Sequence, residues 1–279
     1  MKDSWFFGNS GLKRLKEIND SFKHKALYQI NSTNKCSFKN YSPWMSNYSN
    51  HLRLKNIYEL NEKIVTSNEA LNAIESQYYP PEDKNNFVSF STMEETELGL
   101  IKAASDKVMS SYNDISLLFD ELVMNIVPMK TTKGNFQDIG IGFSSHLAKG
   151  AIFLSIPFLE LNSVNQLAIN IAHETGHQAL YVYQTADPII ENGLSTPVYS
   201  FVRKTDRPAI QSFHATIALA FMVRFISQLP ESDESEYLAD NLNVLSSDFK
   251  KSLDSYGNVT FTEFGKILLD DLRCYANEI

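Results

Sequence analysis

The sequence predicts an α+β protein that is mostly α-helical, a helical bundle built around one buried helix with a small β-sheet beside it. Three observations point there. Apolar residues recur at helical spacing through most of the 279-residue chain. Two short, glycine-punctuated runs of β-branched and aromatic residues, DIGIGF and GAIFLSIP, break that pattern in mid-chain and read as strands. Directly after them comes NSVNQLAINIAHETGHQALYVYQT, a long stretch with an apolar face that also carries two histidines.

In chain order, helices are expected over 11–30 and 54–78, separated by NSTNKCSFKNYSPWMSNYSN, a loop rich in Asn, Ser and aromatic residues. The consecutive prolines of YYPPEDKNN end the second helix and favour an extended path. They set the boundary between an N-terminal helical region, 1–80, which is a candidate substrate-binding extension, and a catalytic region, 81–279. NFVSFST reads as a short strand, and 93–109 and 113–127 as helices. The two-histidine helix takes Asn162 or Ser163 as its cap, and apolar residues at 164, 167, 168, 171, 172, 179 and 180 bury it. TDRPAIQSFHATIALAFMVRFISQL opens on Asp206 before Pro208, a normal helix start, and is apolar on nearly every side from Ile217 onward, so it too belongs in the interior. ESDESEYLADNLNVLSSDFKKSLDSYG reads as an amphipathic surface helix stopped by Gly257, and TFTEFGKILLDDLRCYANEI as a terminal helix.

Hydrophobic content of 43% and charged content of 21% are those of a folded domain. A net charge of −8 argues against nucleic acid or an anionic membrane as partner, since both require a basic footprint. No apolar run near the N-terminus reads as a signal peptide and none reaches the length of a membrane span, so the expected compartment is the cytoplasm. Cys36 and Cys274 lack CxxC spacing and read as ordinary thiols.

The chemistry concentrates in AHETGHQAL. With ~3.6 residues per turn, His173 and His177 leave one face of a helix within reach of a single ion, and Glu174 lies to one side of that face. This is the HExxH pattern, a zincin-like metal cradle. Two unpaired imidazoles are costly inside an apolar helix, and a metal satisfies their acceptor nitrogens; the bland alternative is a pair of hydrogen-bonded core histidines. A catalytic zinc site or an iron triad needs a third protein ligand, and the downstream candidates are Asp187, Glu191, Asp206 and His214. Glu191 follows His177 by fourteen residues, close for a peptidase whose glutamate comes from a separate helix. His214 sits among Phe213, Ile217, Ala218 and Phe221 and needs a strong partner, so metal ligation is favoured over a bond to a backbone carbonyl. Arg203 and Arg207 precede it, and a guanidinium beside a metal is a bidentate grip for a carboxylate; the alternative, favoured for Arg203 taken alone, is a surface charge or a partner of Asp206. Pro208 fixes the direction of Arg207 better than that of Arg203.

Taken in order, a strand ending in SIP, then AHETGH, then RKTDRPAIQSFHATIALAF, then TFTEFGKILLDDLR resemble the HExxH domain of clusters that make ribosomally synthesised, modified peptides. Members of that family include iron(II) and 2-oxoglutarate dependent peptide β-hydroxylases. The resemblance covers roughly 85–275, and its most specific part is an Arg-Pro pair with a histidine six residues after the proline. It implies that His214 completes the metal site, that Arg207 or Arg203 holds the far carboxylate of 2-oxoglutarate, and that Ser144 or Ser145 lines the pocket. Where the family has Asp-Pro-Arg-Pro, this chain has TDRP.

The expected function is therefore β-hydroxylation of a residue in a precursor peptide, with iron(II) and 2-oxoglutarate as cofactors and Glu174 as a substrate-positioning residue. The alternatives are a zinc peptidase with Glu174 as general base, and a non-catalytic peptide-binding protein with a structural metal. The loop at 31–50 and the N-terminal helices are candidates for holding the peptide.

Overall fold

A computed structural model describes residues 3–46, 57–58, 60–78, 88–90, 92–131, 142–155, 163–230 and 236–279. Helix α1 spans Gly8–Asn34 and ends on Lys35 in the left-handed conformation (φ 51). Helix α2 spans Asn68–Tyr78, later than the expected start at 54. Ahead of it, Ile64 bridges Ile126 in parallel and the Val65 N–H donates to the Ile126 carbonyl at 2.9 Å. The β-branched run Ile64-Val65-Thr66 favours that extended path over a helix.

Strand β1 (Val88–Ser89) leads to α3 (Glu95–Ser110), opened by a capping box between Glu94 and Glu97, and to α4 (Asp114–Leu122), capped by Asn113. The helix expected over 113–127 stops early, because β2 takes Asn125–Thr131. Pro128 disfavours a helical conformation at Val127, and Ile126 and Val127 are themselves β-branched. β3 (Gly142–Ser144) begins in DIGIGF, of which Gly142 and Phe143 are described and the rest lie outside the described residues; β4 is Ala151–Ser155. The sheet order is β1-β2-β4-β3, with β2 and β4 parallel and both outer pairs antiparallel.

Strand alternation sends Ile126, Ile152 and Leu154 into the helical core, and Val127, Met129, Ala151 and Phe153 into a second cluster with Ile30 and Trp44 from the N-terminal region. The N-terminal residues thus cover the far face of the sheet, while Phe6, Phe7 and Leu15 join the main core.

Helix α5 (Ser163–Tyr183) is the HExxH helix, packed against α1, α3, α4, β3, β4 and, most extensively, the second interior helix. That helix, α6 (Ala209–Ser227), is long and apolar enough to cross a membrane, with a mean hydropathy of 1.5, but 78% of that window is buried inside the fold. Gly176 lets the two helices approach: a Cβ there would lie 3.1 Å from Phe221 Cγ and 3.2 Å from Ala218 Cα. Asp206 does not start α6 as expected. Residues Thr205–Pro208 form β6, paired antiparallel with β5 (Pro197–Ser200), and the helix begins after Pro208. Proline forces its predecessor Arg207 to be extended, which suits a strand. α7 (Glu236–Leu253) runs through a 3-10 turn to Gly257, and α8 (Glu263–Ala276) closes the described chain, capped by Thr262. The result is a mostly helical α+β fold gathered around α5.

Candidate metal centre

Spacings of four, four and three put His173, His177, Tyr181 and Gln184 in a stripe along one face of α5. His173 Nε2 and His177 Nε2 are 3.0 Å apart, with ring centres at 4.7 Å. Two nitrogens each ~2.1 Å from one ion and subtending ~90° would be separated by about that distance. Glu174 Oε1 is 3.9 Å from His173 Nε2, and ligand atoms of His173, Glu174 and His177 all lie within 4.8 Å of one another. His214 is outside that compact group but stands against it from α6, its ring centre 5.3 Å from that of His177 and 4.6 Å from that of Tyr181.

The tautomer of His214 follows from its partner. Its Nε2 is 3.1 Å from Gln184 Oε1, an oxygen that only accepts, so Nε2 carries the proton. Nδ1 is then a lone-pair acceptor, and it is buried with no hydrogen-bond partner. A buried acceptor without a donor is costly unless a cation takes its lone pair. The donor set therefore fits a first-row metal: two imidazoles at chelating distance and a third ring beside them with an orphaned acceptor.

A pocket of ≈ 580 Å³ contains His173, Glu174, His177, His214, Ser144, Arg203 and Arg207 in its lining. Of the site residues expected from sequence, only Ser145 is absent from this lining; its hydroxyl instead accepts from the Leu147 N–H at 3.2 Å. The competing third ligands are elsewhere. Asp187 Oδ1 accepts from the Ile189 N–H and the Thr262 hydroxyl, both at 2.6 Å, and Glu191 and Asp206 are exposed and do not line the pocket. Sequence reasoning passed over Tyr181, Gln184 and Asn170. For the first two the signal was available, since both continue the His173–His177 stripe at helical spacing.

Glu174 is fully buried, and the Ser144 hydroxyl donates to its Oε2 at 2.7 Å. Burial pushes its carboxyl up to about 8, against the opposing pull of Ser144 and Arg203. Gly142 makes room on the other side: a Cβ there would lie 2.5 Å from Asn170 Nδ2, 2.8 Å from the Phe153 carbonyl oxygen and 3.0 Å from Glu174 Oε1. Burial, reinforced by Arg203, holds His173 down to about 4, and burial with His146 holds His214 down to about 3. His177 is lowered well below the ordinary imidazole range, chiefly by burial, with His173, His214, Arg203 and Arg207 adding to it. All three rings are thus neutral near pH 7, the form that binds metal.

Glu174 sets a pH dependence in the metal-free protein. Unfolded, it loses its proton near pH 4.5; folded, it keeps it to about 8. The folded state binds the extra proton, so this contribution is fully present below 4.5 and is lost as pH rises through 8. Between pH 6.5 and 8, metal-free protein is expected to lose roughly 2 kcal/mol of stability from this group, about 1.4 kcal/mol per unit. The lowered histidines add a rising term common to both proteins, so urea melts across that window should show Glu174→Gln gaining stability with pH relative to wild type by about that amount; an equal slope in both proteins would contradict the assignment.

Arg203 sits in the turn of the β5–β6 hairpin and Arg207 opposite Val198 on β6. Burial, then the neighbouring Arg203 charge, lowers Arg207 from the ordinary guanidinium range. Among the described residues no carboxylate pairs with Arg207. With Glu174 protonated, the pocket is cationic within a chain of net charge −8. No family model matches this chain, and no curated protein matches it.

Proposed function

We propose that the protein is an iron(II) and 2-oxoglutarate dependent oxygenase that β-hydroxylates a residue of a ribosomally synthesised precursor peptide. The observation that carries this reading is the presence of two guanidiniums, one of them without an acidic partner, in the same pocket as three neutral imidazoles. A keto-acid co-substrate asks for that combination: a metal for its keto-acid end and a cation for its far carboxylate. When bound, iron(II) supplies oxygen activation coupled to oxidative decarboxylation of the co-substrate.

In this reading His173, His177 and His214 hold the ion, and Gln184 keeps His214 in the tautomer that offers Nδ1. Arg207, backed by Arg203, grips the far carboxylate. Glu174, held by the Ser144 hydroxyl at its Oε2 and standing beside His173, positions the substrate at the pocket wall. A second reading, zinc-dependent peptide hydrolysis, rests on Glu174 lying beside His173 as a general base would. A dication lowers a nearby carboxyl's pKa, which is what that role requires.

Anaerobic loading with iron(II) and 2-oxoglutarate, followed by oxygen, separates the two. Succinate is expected only with iron, and Arg207→Ala is expected to raise KM for 2-oxoglutarate on the order of 10- to 100-fold, the worth of a charge-assisted pair. Peptide cleavage restored by zinc alone, with no succinate under any loading, would transfer the assignment to hydrolysis.

A further inference from the structure

A second cavity, of ≈ 1040 Å³, adjoins the metal pocket and shares Tyr181, Gln211 and His214 with it. Its walls are α1 on one side and, on the other, the 146–149 turn with the end of α5 and the start of α6. The lining is mixed in a way that suits an extended chain. Ile18, Phe22 and Ile210 supply apolar surface, Leu194 stands on it 82% exposed, and the exposed amides of Gln29 and Gln211 offer donors and acceptors for main-chain groups.

Charge gives the occupant its character. Among the described residues of the lining the cations are Lys25, which is exposed, and Lys149, which is half-buried. Lys149 Nζ donates to the His146 carbonyl at 2.8 Å and lies 5.1 Å from the centre of the Phe22 ring. Among the described residues of the lining the one acidic side chain is Glu17, whose carboxylate lies 3.9 Å from Lys13 Nζ. Beyond the shared residues the space continues to Arg203 and Arg207. A chain with 33 acidic and 25 basic residues has thus placed an excess of positive charge along one groove. Such an excess raises the local concentration of anions and orients them.

We infer that this groove binds an acidic segment of the peptide substrate, laid along α1 so that the residue to be modified passes Tyr181 and His214 into the metal pocket. The inference rests on the reading that the pocket acts on a peptide, and it holds for hydroxylation and hydrolysis alike. It does not require any activity, so it is tested on metal-free protein, where failure of the oxygenase reading leaves the result intact.

The probe is a fluorescein-labelled dodecapeptide of Glu-Leu-Ala repeats, read by fluorescence anisotropy against the same peptide with Lys for Glu. The acidic peptide is expected to bind at least about tenfold more tightly than the basic one, with affinity falling as salt rises. Lys25→Glu and Leu194→Asp, both at exposed positions, are each expected to weaken it several-fold with the circular dichroism spectrum unchanged, and Lys25→Glu to narrow the preference over the basic peptide. Failure of the acidic peptide to bind, equal binding of the basic one, affinity untouched by both substitutions, or equally tight binding of single-stranded oligothymidylate would each overturn the proposal.

Discussion

His177→Ala is expected to abolish tight divalent-metal binding, lowering affinity by at least about 10³-fold while the protein remains folded. His177 is the middle member of the cluster, its Nε2 3.0 Å from His173 Nε2 and its ring centre 5.3 Å from that of His214. Its loss removes the ring that stands against both of the others and breaks the four-residue chelate of α5. A residue that only orients a ligand should cost less, roughly 10- to 100-fold, and Gln184→Leu is expected in that range because it removes the acceptor for His214 Nε2–H. Competition against a chromophoric chelator with cobalt(II) or zinc measures both variants. Equal affinity for wild type and His177→Ala would remove the site from consideration.

Gly265→Ala is expected to produce the largest loss of stability of any single-methyl addition at a described glycine, roughly 3 kcal/mol, and to lower Tm by about 6–12 °C. A Cβ at this position would lie 2.0 Å from the Ile189 carbonyl oxygen and 3.0 Å from its carbon, and neither is the end of a flexible side chain. Ile189 cannot step aside easily. It holds a positive φ of 69, its N–H donates to Asp187 Oδ1 at 2.6 Å, and its carbonyl accepts from the Thr262 N–H at 3.0 Å. Those bonds tie the segment leaving the HExxH helix to the start of α8. Gly99→Ala is the control, since nothing lies within 4 Å of a Cβ there and the residue is inside α3, where alanine is worth about 0.5–1 kcal/mol over glycine. Thermal melts in which Gly265→Ala and Gly99→Ala coincide would show that the close approach is not real.

Much of this arrangement was legible in the residues. The interior position of α5 follows from its apolar face and that of α6 from apolar residues on nearly every side, and the chelating face follows from a four-residue spacing alone. Where the reading went astray, a short extended segment had been absorbed into a helix. Ile64 to Thr66 and Asn125 to Val127 look helical by their apolar spacing, but they pair through backbone bonds to residues far off in sequence, and local pattern carries no information about such pairing. The β5–β6 hairpin was missed for the same reason. It decides where Arg203 and Arg207 stand, so the cationic side of the pocket was foreseen as composition and not as geometry. His214 was chosen because a buried imidazole needs a partner. The structure adds Gln184 as the partner of one nitrogen and leaves the other as a buried acceptor, a division that no spacing rule indicates.

The proposed centre requires three imidazoles to share one ion. X-ray absorption spectroscopy of iron(II)-loaded protein counts them directly through the outer-shell scattering of the imidazole rings. Three rings in the wild type, falling to two in His214→Ala with His173 and His177 retained, is the result expected; two rings in both proteins would contradict it.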